Sequence, residues 1–447
     1  EYAARLARKA REHVIRRFSL DSMTQRTADV YRKLLHIAEM TRQQNLQPEA
    51  KKLVISGYYG YGNSGDEAVL HAILQALRQE SEKQGVTIVP TVLSVNPQAT
   101  EQMHGVRAIS RMNLFGIVRE LKNSDGLVSG GGSLLQDITG RMTIPYYLSI
   151  IKFAQWFGKP TFIYAQGVGP IETKSFYPFI HYIYSKSQYI SVRDQESKEL
   201  LREIGVKEDR IEVVSDPVMG LSEVPDGVDD LTSSTEKLMN DQGQAHLEQI
   251  NLEQTDQGQN KPKMIGISVR FWHPYREELN RLAEALRIIL DSEPGVRLRF
   301  LPFYLPIDVE ASQYVMNQLS KEHLQRTDMY TEAIYPQDML VKVAECDLLI
   351  GMRLHSLIYA AAHRVPIVGI SYDPKNDHFL NQLGMSAVAS TDELNPYEVA
   401  KETVKLLHDR ERWIKDTTEH IVELKQKSLK PAQQISAYLR NKKRRVK

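Results

Sequence analysis

The sequence predicts an α/β protein with two lobes that face a cleft. Short, continuously apolar segments alternate with helical patterns in residues 51–222, and the same alternation returns in residues 264–425. Continuous apolar strands joined by helices indicate parallel sheets that are covered on both faces. Residues 223–263 are rich in Gln, Asp, Asn and Gly, which predicts an interdomain linker or a disordered insertion.

In the first run, the strand candidates end in glycine or polar residues. They are KLVISGYY, TIVPTVLSV, DGLVSGGG, TFIYAQGVG, YISVRD and IEVVSDP. The carboxyl ends of parallel strands form the ligand-binding edge of such a sheet. This run therefore predicts a Rossmann-like N-terminal lobe whose polar strand ends line a cleft.

The second run predicts a similar C-terminal lobe. Its strand candidates are KMIGISVRFW, VRLRFLPFY, CDLLIGMR and VPIVGISYD, with helices near 275–290, 309–321, 337–345 and 355–363. Two or three helices are expected after Pro396. Together the two runs predict two Rossmann-like lobes, each a parallel sheet flanked by helices.

The two ends of the chain differ from these runs. Residues 426–447 predict a helical tail that closes on the basic stretch NKKRRVK, either solvated or held electrostatically at an anionic membrane surface. Residues 1–50 predict two amphipathic helices. This segment resembles the last two helices of GT-B glycosyltransferases, which would make it the remnant of an upstream, fused transferase domain.

The composition limits the classes of function. The 447 residues are 42% hydrophobic and 25% charged, with a formal net charge of +1, so no general attraction to nucleic acid is expected. The sequence has no apolar run long enough to span a membrane. Its single cysteine, Cys346, lies in an apolar strand, which indicates a core residue and favours a cytoplasmic protein.

The stretch GYYGYGNSGDEAVL follows the first strand, and its Gly60, Gly62 and Gly65 have the G-x-G-x-x-G spacing of a dinucleotide-binding loop. Asp66 and Glu67 count against a dinucleotide, because their carboxylates would repel a pyrophosphate at the helix N-terminus. Ser64-x-x-Glu67 instead predicts a capping box. The alternatives are a tight turn alone or a loop whose Asn63, Ser64 and Asp66 project polar groups into the cleft.

The second lobe carries another polar cluster. Arg353, His355 and Ser356 follow a buried strand, and Arg270 ends the first strand of this lobe. Arg193 ends a strand of the first lobe. Three arginines converging on one cleft would bind a small polyanion through charge-assisted bonds, unless each one pairs with a neighbouring carboxylate.

Six stretches together resemble the polysaccharide pyruvyl transferase family, most closely its bacterial branch that modifies the secondary cell-wall polymer anchoring S-layer proteins. They are ISGYYGYGNSGDEAVL, VSGGGSLLQD, AQGVGPI, SVRDQES, GISVR and GMRLHSLIYAA, in family order from residue 52 to about 390. The resemblance implies a GT-B-like fold. It also implies transfer of the pyruvyl group of phosphoenolpyruvate onto two hydroxyls of one sugar, with release of phosphate and without metal or cofactor. In the cell-wall branch the acceptor is β-N-acetylmannosamine of a lipid-linked saccharide, bridged at O4 and O6.

This resemblance suggests roles for the residues singled out above. His355 is the expected acid and Asp66 the base. Phosphoenolpyruvate would contact Arg193, Arg270, Arg353 and Ser356. The acceptor would contact Asn63, Ser64, Glu67, Gly131, Gly132 and Gln166. The expected partners are this donor and a lipid-linked acceptor in the cytoplasm or at the inner face of its membrane.

Two other functions fit parts of the sequence. A GT-B nucleotide-sugar glycosyltransferase has this architecture, but the Glu-x7-Glu pair of retaining members is missing between Gly369 and Pro396. A sugar-binding scaffold for a fused transferase would need no cluster of His355 and arginines. Binding of phosphoenolpyruvate would distinguish the scaffold from the pyruvyl transferase.

Overall fold

The computed structural model describes residues 50–137, 140, 142–221, 262–333 and 336–442. The predicted N-terminal helical pair, nearly all of the polar linker and the final basic residues lie outside this part of the chain.

A seven-stranded parallel sheet forms the centre of the N-terminal lobe. Its strands are β1 (Lys51–Ser56), β2 (Ile88–Ser94), β3 (Arg107–Ser110), β4 (Gly126–Gly130), β5 (Thr161–Gln166), β6 (Tyr189–Val192) and β7 (Ile211–Val213). They are arranged in the order β3-β2-β1-β4-β5-β6-β7. The order reverses at β1, so the carboxyl ends of β1 and β4 mark the switch point where ligands bind in such sheets.

Helices cover both faces of this sheet. They are α1 (Ser64–Lys83), α2 (Pro97–His104), α3 (Leu114–Asn123), α4 (Thr143–Trp156), α5 (Tyr177–Tyr184) and α6 (Gln195–Glu203). Apolar residues of α3, α4, α5 and α6 share one core cluster on one face. Helix α1 contributes to a separate core cluster.

The C-terminal lobe repeats the plan with six parallel strands. These are β8 (Lys263–Ser268), β9 (Val296–Phe300), β10 (Thr327–Met329), β11 (Leu348–Gly351), β12 (Ile367–Ser371) and β13 (Ala389–Ser390), in the order β10-β9-β8-β11-β12-β13. Its helices are α7 (Glu277–Ser292), α8 (Ile307–Met316), α9 (Lys321–Gln325), α10 (Pro336–Ala344), α11 (Leu354–Ala362), α12 (Pro374–Gln382) and α13 (Pro396–His408). The two-lobed α/β fold predicted from the sequence is confirmed.

One long helix, α14 (Arg410–Lys442), joins the two lobes. Its Ile421, Ala432 and Leu439 are fully buried in the core cluster that also holds α1, β1 and β5 residues. Tyr438 packs edge-on against Phe162 of β5, with ring centroids 5.5 Å apart. The lobe boundary predicted at residue 425 falls inside this continuous helix, so no separate tail begins there.

Candidate active site

The loop after β1 meets the C-terminal lobe at the start of α1. The backbone N–H of Ser64 donates to the carbonyl of Phe303 at 3.0 Å. The Tyr359 hydroxyl, on α11, donates to the carbonyl of Ser64 at 3.0 Å. These bonds hold the carboxyl edges of the two sheets against each other, so polar side chains from both lobes share one cleft.

The cap of α1 differs from the predicted capping box. Asn63 is the N-cap, and its side-chain oxygen accepts from the N–H of Gly65 at 3.1 Å. The predicted Ser64–Glu67 box does not form, because the N–H of Ser64 is bonded to the other lobe. Asn63 therefore has a structural task in addition to the acceptor contact predicted for it.

Glu67 supports the glycine loop from behind. Its Oε1 accepts from the N–H of Gly60 at 2.8 Å, and its Oε2 lies 3.1 Å from Nε2 of His104. The Glu67 side chain is only 3% exposed. Gly60 has a φ of +86°, a conformation that glycine adopts without strain. Both carboxylate oxygens of Glu67 are thus used to fix the loop.

Asp66 immediately precedes Glu67, and its carboxylate has an unusual pKa. Burial, followed by the charge of Glu67, raises the pKa of Asp66 from 3.8 to about 7, although Arg193 opposes the shift. A Cβ at Gly132 would lie 3.2 Å from Oδ1 of Asp66. Gly132 therefore leaves space beside this carboxylate, which is poised between its two protonation states near neutral pH.

His355 packs directly against the glycine loop. A Cβ at Gly65 would lie 2.2 Å from Nδ1 of His355, so the ring occupies the place of a side chain there. Nε2 of His355 lies 4.0 Å from Oδ2 of Asp216. Burial lowers the pKa of His355 from 6.5 to about 4; Asp216 opposes this shift and Arg193 reinforces it. A role as acid near pH 7 thus requires a bound anion that raises this pKa.

Arg193 links the histidine to the N-terminal sheet. Its Nη1 donates to Oδ2 of Asp216 at 3.3 Å, and its Nη2 donates to the Ser133 hydroxyl at 2.9 Å. Oδ2 of Asp194 lies 3.6 Å from Nε of Arg193, and the Arg193 side chain is 6% exposed. Arg193, Asp216 and His355 therefore form a row in which the buried Asp216 carboxylate lies between the guanidinium and the imidazole.

Arg353 forms a closer ion pair than Arg193 does. Its guanidinium makes two bonds to the fully buried Asp308, one of them from Nε at 3.0 Å. Asp308 also accepts from the N–H groups of Phe303 and Tyr304. Arg353 thus follows the alternative in which an arginine of the cleft pairs with a neighbouring carboxylate. Ser356 is buried as well, and its hydroxyl donates to the carbonyl of Arg353 at 2.6 Å.

Arg270 has a different environment. Its Nη1 donates to the Tyr372 hydroxyl at 3.0 Å, and its guanidinium lies 4.6 Å from the centre of the Tyr372 ring and 5.3 Å from that of Trp272. Within the described residues, no carboxylate lies within ion-pair distance of Arg270. Its charge is thus available to an incoming anion.

Two other predicted acceptor contacts, Gly131 and Gln166, have structural partners. Gly131 has a φ of +58°, and a Cβ there would lie 1.9 Å from Cγ1 of Val69 on α1, so this glycine permits close helix packing. Gln166 is fully buried, donates to the Ser129 hydroxyl at 3.3 Å and accepts from the Tyr184 hydroxyl. Any acceptor contact of Gln166 would need this interior network to open.

Aromatic side chains line the N-terminal rim of the cleft. Tyr58 and Tyr61 are stacked with centroids 4.0 Å apart, and both are partly exposed. The Arg111 guanidinium lies 4.2 Å from the centre of the Tyr146 ring and 5.7 Å from that of Tyr61. A stacked aromatic pair beside a fixed guanidinium offers flat apolar surface with a polar edge, which suits a sugar.

Sequence reasoning missed four residues of this constellation. Asp216 was noticed only as a polar strand end, and Asp308, Tyr372 and Arg111 were given no role. Tyr372 directly follows β12, and Asp216 lies three residues after β7, so their positions at the carboxyl edge were the available signal. Asp308 could not be paired with Arg353 from sequence, because the two residues are 45 positions apart.

Among the described residues, no group of three or more His, Cys, Asp or Glu side chains is arranged to hold a metal ion. In the same part of the chain, none of the helices combines the length and apolarity required to cross a membrane.

Comparisons with known proteins agree with this architecture. The model of the polysaccharide pyruvyl transferase family matches residues 63–374, a range that contains Asp66, Arg193, Arg270, Arg353 and His355. The amylovoran biosynthesis protein AmsJ of Erwinia amylovora is 21% identical over 386 residues, which cover 76% of this chain and 88% of that protein.

Solved structures with the same fold are more distant in sequence. UDP-GlcNAc 2-epimerase from Neisseria meningitidis, bound to UDP-GlcNAc, aligns with a TM-score of 0.55 at 13% identity, covering 88% of this chain and all 100% of that one. The S. aureus MnaA–UDP complex aligns with a TM-score of 0.54 at 11% identity, covering 87% and 97%. At this identity the likeness shows the GT-B-like fold alone.

Proposed function

The chain belongs to the polysaccharide pyruvyl transferase family, and from this premise we propose that it uses phosphoenolpyruvate to form a cyclic pyruvate ketal on a sugar of a cell-wall polysaccharide. The acceptor we propose is β-N-acetylmannosamine of a lipid-linked saccharide, bridged through O4 and O6. Phosphoenolpyruvate is a cytosolic metabolite, so the proposal places the reaction in the cytoplasm.

One observation supports this proposal more than any other. A titratable carboxylate, Asp66, and an imidazole, His355, come from different lobes and share the same charged neighbours, Arg193, Asp216 and Arg353. A proton donor and a proton acceptor with divergent environments, one from each of two adjoining lobes, are what acid–base transfer between two substrates requires. The family match covers both residues.

The arginines differ in what they can do for the donor. Arg270 has no carboxylate partner among the described residues, so it is the strongest candidate for a direct bond to the phosphate or carboxylate of phosphoenolpyruvate. Arg193 and Arg353 are held by Asp216 and by Asp308. They supply positive potential from fixed positions.

The chemistry follows from these positions. His355 protonates the vinyl carbon C3 of phosphoenolpyruvate, and the sugar hydroxyl on the Asp66 side attacks C2 while Asp66 takes its proton. The C2–O bond to phosphate then breaks, and the second hydroxyl attacks the same carbon. Two hydroxyl protons are released in all; one replaces the proton given to C3, and the other leaves with phosphate. Arg270 stabilises the charge that grows on the phosphate as it departs.

Proton uptake on donor binding follows from the pKa values. His355 has a pKa of about 4 and is neutral at pH 7, and a bound trianion favours its charged form. Asp66, with a pKa of about 7, takes up a smaller amount for the same reason. We therefore expect phosphoenolpyruvate to bind more weakly as pH rises. Calorimetry in buffers of different ionisation enthalpy measures this uptake, and His355→Gln should remove the larger part of it.

The test of the function is phosphate release from phosphoenolpyruvate with a synthetic β-N-acetylmannosaminyl acceptor and a chelator present. We expect acceptor-dependent phosphate and a ketal product, both reduced about 1,000-fold by His355→Gln. His408→Gln is the matched control, because His408 is exposed on α13 and pairs with Glu293. Turnover of a nucleotide sugar, with no binding of phosphoenolpyruvate, would establish the glycosyltransferase alternative instead.

A further inference from the structure

Helices α3, α4 and α5 form one outer surface of the N-terminal lobe. Helix α4 lies between the other two and contacts both. Their buried sides share a single apolar cluster against the sheet. Their outer sides and the adjoining loops define what we call the α3–α4–α5 surface.

Large apolar side chains on this surface are exposed to solvent. Phe115 is 91% exposed, Trp156 is 67% exposed and Phe179 is 62% exposed. The others are Met112, Leu114, Met142 and Tyr182. Trp156 and Tyr182 both lie beside Nζ of Lys152, so these two exposed rings are neighbours. Exposed apolar groups that adjoin in this way indicate a binding surface rather than ordinary solvent contact.

Two lysines on this surface are paired with aromatic rings instead of carboxylates. Nζ of Lys152 lies 4.4 Å from the centre of the Tyr182 ring and 5.6 Å from that of Trp156. Nζ of Lys186 lies 4.0 Å from the centre of the Tyr182 ring. Neither lysine has a carboxylate within ion-pair distance in the described part of the chain. Their charges are therefore available to an external anion.

The sequence of this region is unlike the rest of the chain in charge. Residues 138–192 contain five Lys or Arg residues and one acid, Glu172, whereas the whole chain has a net charge of only +1. Helices α4 and α5 carry no acid at all. The stretch of chain that contains α4 and α5 is therefore net positive.

We propose that the α3–α4–α5 surface binds the face of a bilayer containing anionic phospholipid. Trp and Tyr rings prefer the level of the lipid headgroups. Lysines beside an anionic leaflet add about 1 kcal/mol each. Apolar side chains such as Phe115 enter the boundary of the acyl chains, as on other proteins that lie on a membrane without crossing it. This binding does not require the reaction proposed above, although its purpose rests on the lipid-linked acceptor of that reaction.

The α3–α4–α5 surface adjoins the cleft, so membrane binding through it would bring the cleft close to lipid-linked molecules. The loop that carries Met112 continues from Arg111, whose carbonyl accepts from the Tyr146 hydroxyl at 3.1 Å. Met142 lies one turn before Tyr146 on α4. The apolar surface therefore reaches the aromatic rim of the cleft, where a headgroup-linked saccharide could enter from the bilayer.

Vesicle co-sedimentation of the full chain tests the proposal. We expect the protein to sediment with vesicles of phosphatidylglycerol and phosphatidylcholine, and at least tenfold less with phosphatidylcholine alone. The triple variant Phe115→Ser, Trp156→Ser, Phe179→Ser should bind at least tenfold more weakly. The matched control is Leu324→Ser, Val341→Ser, Tyr397→Ser, which alters exposed apolar side chains of the other lobe and should bind like the wild type.

A chain without residues 443–447 separates this surface from the basic tail. If that deletion alone abolishes sedimentation, or if the triple variant binds like the wild type, the proposal is wrong. Equal binding to neutral vesicles, or no binding at all, overturns it as well. Unchanged thermal unfolding of the triple variant confirms that the effect is not misfolding.

Fluorescence gives a second measurement. The chain has three tryptophans, and Trp413 is buried, so a Trp272→Phe variant leaves Trp156 as the exposed fluorophore. We expect brominated lipids to quench its emission when vesicles are added. Emission that brominated vesicles leave unchanged would show that Trp156 stays in water and would contradict the proposed orientation.

Discussion

Arg353 and Arg270 both follow strands of the same lobe at the same edge of its sheet, yet their environments are opposite. Arg353 makes two bonds to the buried Asp308, which is itself held by two backbone N–H groups. Arg270 is bonded to the Tyr372 hydroxyl and to the carbonyl of Phe271, and it lies beside aromatic rings. The charge of Arg353 is neutralised by a carboxylate of the protein, whereas Arg270 is held in place by neutral groups only.

This difference distinguishes a structural arginine from a ligand-binding arginine, which the sequence pattern alone does not do. A buried arginine with a bidentate carboxylate organises the loops around it, because removing either partner leaves an uncompensated charge. An arginine held by neutral groups keeps its attraction for a ligand anion. Position at a strand end therefore identifies a candidate, and the presence or absence of a carboxylate partner decides its task.

The largest expected effect comes from breaking the saturated pair. Arg353→Ala should lower the free energy of unfolding by about 3–5 kcal/mol, because Asp308 would remain buried without its counter-charge. Urea denaturation measures this loss. Combining Arg353→Met with Asp308→Leu should restore part of the stability. If Arg353→Ala is as stable as the wild type, the Arg353–Asp308 pair does not stabilise the fold, and the proposed difference between Arg353 and Arg270 is wrong.

Changing the unsaturated arginine should leave the fold intact. Arg270→Gln should reduce kcat/KM for phosphoenolpyruvate about 100-fold, since a charge-assisted bond to the donor is lost. The free energy of unfolding should change by less than about 1 kcal/mol. Arg270→Lys keeps the positive charge without the forked guanidinium, so its kcat/KM should lie between those of the wild type and Arg270→Gln. An undiminished kcat/KM in Arg270→Gln would show that another cation holds the donor.

The same contrast exists between two adjacent carboxylates. Glu67 is bonded by His104 and by the loop backbone, whereas Asp66 makes no hydrogen bond within the described residues and has its pKa raised to about 7. A carboxyl with a raised folded-state pKa stabilises the fold fully below pH 3.8, and that contribution is lost as pH rises through 7.

Asp66→Asn should therefore raise the free energy of unfolding at pH 8, by on the order of 1 kcal/mol, with the gain shrinking toward pH 4. Thermal unfolding at several pH values measures this. Glu67→Gln is the neighbouring control and should destabilise the protein, since it weakens the bond to His104. Asp66→Asn that is destabilising at pH 8 would contradict a buried, unpaired carboxylate.

The smallest effect should come from the hydroxyl that positions Arg270. Tyr372→Phe keeps the ring beside the guanidinium and removes the bond measured at 3.0 Å. We expect KM for phosphoenolpyruvate to rise about fivefold, with kcat and stability nearly unchanged. A change in kcat with constant KM would assign Tyr372 to the reaction instead of to donor binding.

The long interior strands of both sheets were predictable because each is a continuous apolar run. Strands β3, β10 and β13 were missed; they lie at sheet edges, have two to four residues and are mostly half-exposed. An edge strand packs against fewer neighbours and needs no long apolar run. Cys346 is the core residue that its apolar surroundings predicted, although it lies just before β11 and not within a strand: it is buried, and burial raises its pKa to about 12.

The candidate site was predictable as a set of residues but not as a set of pairs. Asp66, Arg193, His355 and Arg353 come together, because strand ends and helix starts of two Rossmann-like lobes face one cleft. Which carboxylate each arginine meets depends on the docking of loops far apart in sequence, as with Arg353 and Asp308. The roles assigned to the individual residues stay predictions.

Helix α14 gives the chain a particular order of assembly during synthesis. The first lobe is translated long before α14, yet Ile421, Ala432 and Leu439 complete the apolar cluster around its β1, α1 and β5. Until the ribosome has released α14, that part of the nascent lobe has no cover and exposes apolar surface. Premature termination just before residue 410 would therefore yield two nearly complete lobes that chaperones retain and proteases remove.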